Sequence, residues 1–143
     1  MIKTLKVLLI SFTFLLTACS ENENIIEADN PEVATVAFFN AIYNEKNLEK
    51  AVSVCSPQLA RIILHYQSPK AVGRHLFNMS YDKVEITPES KGTKVREQFQ
   101  DSAQIIVYFD GVYMDQKIRD IKRISLIQED GKWLINKIMK DPF

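Results

Sequence analysis

Two cysteines and two histidines are the side chains of this sequence best suited to nucleophilic or metal-binding chemistry near neutral pH. His65 and His75 fit neither role by spacing. No His-Glu-x-x-His pattern surrounds them and no carboxylate stands at ligand distance along the chain. Each reads as a surface or core-edge histidine held by a hydrogen bond. Cys55 closes the apolar stretch Ala51-Val52-Ser53-Val54-Cys55, which predicts a buried, inert thiol. The four glycines, Gly73, Gly92, Gly111 and Gly131, are scattered, so no phosphate-cradling loop exists, and three of them read as turn residues. Lys117, Arg119, Lys122 and Arg123 alternate with Asp115 and Asp120, the pattern of a solvated strand face rather than an anion site. Phe38, Phe39, Tyr81, Tyr108, Phe109 and Trp133 read as core rather than a stacking platform. No catalytic residue, metal ligand or cofactor is assigned on these grounds.

Cys19 stands apart because of what precedes it. Lys3 and Lys6 form a short basic region, and Val7 to Leu16 (VLLISFTFLL) carries no charge. As a helix this stretch would span roughly 15 Å, about half of a bilayer core, which suits a secretory leader better than a membrane span. Leu16-Thr17-Ala18-Cys19 then resembles the lipobox of bacterial lipoproteins, with Leu at −3, small residues before the cut and Cys after it. The resemblance implies cleavage between Ala18 and Cys19, and a diacylglyceryl thioether on the Cys19 sulfur. A third acyl chain would follow on the new amino group. Two or more chains give stable anchoring. Ser20 in place of Asp favours the outer membrane under the sorting rule of enterobacterium-like cells, which predicts an envelope protein facing the periplasm. With Cys19 acylated, Cys55 has no partner in the chain, which excludes a disulfide scaffold and a cysteine-based zinc site.

The sequence has 143 residues, enough for one domain. Lys+Arg and Asp+Glu both number 18, so there is no electrostatic case for nucleic acid. Loss of residues 1–18 removes two lysines and no acid and leaves the mature chain mildly acidic. The expected organisation is a leader over 1–18, a lipidated Cys with a polar tether over 19–30, and a single α+β domain over 31–143.

The elements follow from the punctuation of the chain. Asn30-Pro31-Glu32 predicts a helix start, with Ala34, Phe38, Phe39, Ala41 and Ile42 on one face through Tyr43. Asn47 caps a short second helix, Leu48 to Val54. Ser56-Pro57 and Ser68-Pro69 open a third and a fourth, the last running from Lys70 to Phe77 with an interruption at Gly73. The period then changes to two. Strands are expected over Tyr81 to Thr87, Thr93 to Phe99, Ala103 to Phe109 bounded by Asp110-Gly111, Ile118 to Ile127, and Lys132 to Met139. Val112 to Met114 reads as a loose continuation of pairing. Asp130-Gly131 between two alternating runs predicts a tight hairpin. Helices followed by consecutive antiparallel strands define an α+β plan, with helices packed on a curved antiparallel sheet.

Pro31, the pair Phe38 and Ala41, Asn47-Leu48-x-x-Ala51, and Gly131-Lys132-Trp133-Leu134-Ile135 together resemble small bacterial lipoproteins of the nuclear transport factor two-like (cystatin-like) cone fold. The match runs from about Pro31 to Asp141. Asn47 stands where that family usually has Asp, and Asn caps a helix equally well. Enzymes of the superfamily place a carboxylate base and a polar partner inside the cone, but no catalytic motif here can be matched to theirs. Two functions follow as expectations. One is a membrane-anchored, non-catalytic binding or interaction module, held through the acyl chains on Cys19 and taking a small apolar ligand or an envelope protein as partner. The other is a small hydrolase, isomerase or cyclase with its active site in the cone. An ionisable residue on an inward strand face, held by a second polar group, separates the two, and the apolar run Ala103 to Phe109 offers none.

Overall fold

The computed structural model describes residues 28–89 and 101–140. The leader, the lipobox and the expected strand Thr93 to Phe99 lie outside the described residues. Helices come first: α1 (Pro31–Tyr43), α2 (Leu48–Val52), α3 (Pro57–His65) and α4 (Pro69–Ala71). Four strands follow: β1 (Lys83–Pro88), β2 (Ser102–Tyr113), β3 (Gln116–Glu129) and β4 (Lys132–Ile138). They form one antiparallel sheet in the order β1-β2-β3-β4, which does not close on itself. No helix among the described residues is long and apolar enough to cross a membrane.

Each helix begins where the sequence punctuates it. Asn30 Oδ1 accepts from the Val33 amide at 2.7 Å, and Asn47 Oδ1 accepts from that of Lys50 at 2.9 Å. Ser56 and Ser68 cap α3 and α4 in the same way, and proline fills the first position of α1, α3 and α4. α4 differs from the expected continuous helix. After Ala71 the backbone widens into π-helical turns over Val72–Leu76, with the Phe77 amide donating to the Val72 carbonyl. Gly73 shows what the widening accommodates. A Cβ there would lie 3.0 Å from Cε1 of Tyr43 and 3.1 Å from the Met79 carbonyl oxygen, so the ring of α1 sits in the space a side chain would need.

α1 packs against β1, β2 and β4, and its rings interlock with those of the sheet. The Phe39 ring centroid lies 4.8 Å from that of Phe109, and Phe38 and Phe77 meet edge to face at 6.0 Å. Val84, Val107, Phe109, Ile124, Leu126, Trp133 and Ile135 supply the sheet's buried side. Tyr108, expected from the sequence to be core, is not part of it. It alternates away from Phe109 onto the outer face of the sheet and is 42% exposed.

The β2–β3 connection also departs from expectation. Asp110-Gly111 does not end a strand, because β2 runs through to Tyr113 and Gly111 pairs with both Val84 and Ile118. The turn is made by Met114 and Asp115, at φ 50° and 63°, with Asp82 Oδ2 accepting from the Met114 amide at 2.8 Å. The β3–β4 turn falls at Asp130-Gly131, as the sequence predicts, and both residues have positive φ. Both outer edges of the sheet are covered. Asn44 hydrogen-bonds the amide and the carbonyl of Val84 on β1. On β4 the Ile135 amide donates to the Val54 carbonyl, and the Trp133 amide to that of Ala28. Ala28 is itself buried in the core.

Candidate functional site

Strand alternation decides which polar groups reach the helix-covered side. On β3, Ile124 and Leu126 point inward, so Lys122, Asp120 and Ile118 share their side while Arg119 and Arg123 take the other. The basic and acidic residues expected on one solvated face are therefore divided between two. Arg119 pairs with Asp110 across the outer face at 2.9 Å. Asp120 stands opposite Phe109, and its Oδ2 accepts a short hydrogen bond from the Tyr81 hydroxyl. The run Ala103 to Phe109 offers no inward ionisable group, but its neighbour β3 does, which corrects the expectation that the inward strand faces lack one. An inward carboxylate exists, and a second polar group holds it.

Tyr43 completes this group. Its ring meets that of Tyr81 edge to face at 5.1 Å, and Tyr81 stacks on Phe109 at 6.2 Å. The Tyr43 hydroxyl is buried without a hydrogen-bond partner among the described residues. Burial raises both phenols well above the usual tyrosine range. The negative charge of Asp120 adds to this for Tyr43, and for Tyr81 the hydrogen bond to that carboxylate and nearby charge add further. Both rings stay protonated at any physiological pH.

Beside these tyrosines, at the end of the sheet formed by the β2–β3 turn, lies an open cleft of about 670 Å³. Ile42, Tyr43, Met79, Tyr81, Tyr113 and Met114 supply its apolar and aromatic walls, and Lys46 and Lys70 its cationic groups. Asp120 does not line it. Lys46 is held in place by two features. Its backbone is left-handed at φ 56°, and its ammonium donates to the Tyr81 carbonyl at 3.3 Å.

The residues singled out from the sequence fall elsewhere. His65 and His75 are exposed on the helical side and flank Tyr66, with ring centroids 5.8 and 6.3 Å from it, and neither lines the cleft. Cys55 is buried, its thiol donates to the Ala51 carbonyl at 3.3 Å, and burial pushes its pKa up, which disfavours the reactive thiolate. No group of three or more potential metal ligands occurs among the described residues. Cys19 and Ala18 lie outside them. Asp120, Tyr81 and Tyr43 were missed as a group, although counting back in twos from Leu126 leads to Asp120.

Comparison with protein-family profiles, curated proteins and solved structures finds no match to the chain.

Proposed function

We propose that the chain is a lipid-anchored envelope lipoprotein whose α+β domain serves as a non-catalytic binding module on a cone of the nuclear transport factor two-like kind. The leader and Leu16-Thr17-Ala18-Cys19 support the anchor, with attachment to the outer membrane on its periplasmic side. One observation carries the binding role. The helix-covered side of the sheet is filled by interlocked rings, and open space with an aromatic wall is found beside them, in the cleft at the sheet's end. A general base must reach a proton on its substrate, whereas Asp120 stands outside the cleft and is engaged by Tyr81. Intact-mass analysis of the mature protein, with membrane fractionation of wild type and Cys19→Ala, tests the anchor. Acyl mass on the wild type and a soluble or unprocessed variant are expected, and mature wild type free of acyl mass overturns it.

A second reading is favoured by Asp120 itself. An inward carboxylate held by a phenol is the arrangement an enzyme of this shape would need, with Asp120 as base and Tyr81 orienting it. Asp120→Asn distinguishes the two. Turnover in ester, phosphoester or isomerase screens that disappears in Asp120→Asn, with thermal unfolding unchanged, establishes the enzyme and removes the binding module.

A further inference from the structure

The cleft at the β2–β3 turn has a definite electrostatic character, and this deepens the binding reading on which it rests. Lys46 and Lys70 line it, and neither is in either of the ion pairs formed among the described residues, Lys50–Glu45 and Arg119–Asp110. The lining carboxylate, Asp82, is turned to the Met114 amide. Lys46 adopts a left-handed backbone, a conformation unfavourable for a residue with a Cβ. That conformation accompanies an ammonium set against the Tyr81 carbonyl beside the aromatic wall. Met114, which lines the same cleft, is 73% exposed at the hairpin tip, a flexible apolar side chain able to fold over a bound molecule.

We infer that this cleft binds a small, water-soluble organic monoanion, a carboxylate on an apolar or aromatic body. The carboxylate sits between the Lys46 and Lys70 ammonium groups, with the Ser68 and Ser80 hydroxyls at its margin. The apolar body lies against Tyr43, Tyr81 and Tyr113 and beneath Met114. Two ammonium groups beside apolar walls favour a carboxylate over a neutral ligand of the same shape. The volume is within the range of small-molecule sites.

The test is equilibrium dialysis of the full lipidated chain, held in nanodiscs of neutral lipid, with phenylbutyrate and with the matching alcohol, phenylbutanol. Phenylbutyrate is expected to bind at least about tenfold more tightly than the alcohol, the scale of one charge-assisted hydrogen bond. The pair Lys46→Asn with Lys70→Gln should remove that preference. Asn tolerates the left-handed backbone at position 46, and an unchanged unfolding temperature confirms that the variant is folded. Equal binding of the two probes, or a preference that survives the double substitution, overturns the anionic ligand but leaves the module reading standing. Binding of neither probe overturns the ligand inference alone, since Cys19→Ala partition and Asp120→Asn turnover test the parent reading separately.

Discussion

The ring of Tyr81 occupies the space that a side chain at Gly111 would fill. A Cβ on Gly111 would lie 2.5 Å from Cδ1 of Tyr81 and 2.8 Å from the carbonyl oxygen of Lys83. Gly111 therefore lets the ring lie over β2, where it stacks on Phe109 and delivers its hydroxyl to Asp120. Because one of the two obstacles is backbone, the strand cannot yield by a rotamer change alone. Gly111→Ala is expected to destabilise by about 1–3 kcal/mol, the scale of overpacking, as read from chemical denaturation. A stability equal to wild type would show that the ring can leave this position freely.

Asn44 closes the β1 edge with a single side chain that both donates to and accepts from the backbone of Val84. Asn44→Ala should cost about 1–2 kcal/mol and speed amide hydrogen exchange at Val84, while the β3–β4 amides keep their protection. Uniform loss of protection across the sheet would mean instead that the edge contact supports the whole fold.

Alkaline pH should weaken the fold through Tyr43 and Tyr81. Their pKa values are raised in the folded chain, so above the ordinary tyrosine value of about 10 the unfolded chain loses protons that the folded chain keeps. The stabilisation is complete below that pH and is lost as pH rises beyond it, at up to about 1.4 kcal/mol per pH unit for each ring. Tyr43→Phe and Tyr81→Phe should each make the alkaline decline shallower in denaturation series, and a parallel decline in both variants would exclude this origin.

Trp133 packs on the inner face of β4 at 4% exposure. Trp133→Ala should destabilise by about 3–5 kcal/mol, and guanidinium denaturation measures it directly. A change near zero would place the ring outside the core.

Helix starts were legible because each is a local contract between one side chain and one amide. Asn30, Asn47, Ser56 and Ser68 are all expected as caps, and the two asparagine contacts are shorter than the two serine ones. The Asp130-Gly131 hairpin was legible for a similar reason, since its residues favour positive φ. The β2–β3 turn was not. Its corner falls on Met114 and Asp115, without glycine, and depends on Asp82 more than thirty residues earlier. Gly111 carried the local signature of a turn but answers to a distant ring. The candidate site divides in the same way. Asp120 follows from counting along β3, but its partner Tyr81 is fixed only by the pairing of β1 with β2, which the sequence does not state. Lys46 and Lys70 become neighbours of one cleft only when the helices fold back on the sheet.

The buried Ala28, bonded to Trp133, fixes where the leash meets the domain. With Cys19 in the bilayer as proposed, nine residues join lipid to domain and extend at most about 30 Å. Ala28 meets the outer edge of β4 at Trp133, two residues past the Asp130-Gly131 turn, whereas Met114 stands in the turn at the other end of β3. A strand of 14 residues separates the two ends by roughly 45 Å. Under that proposal, membrane attachment and ligand binding use opposite ends of the sheet, so a molecule in the cleft and the lipid on Cys19 do not compete for the same part of the domain.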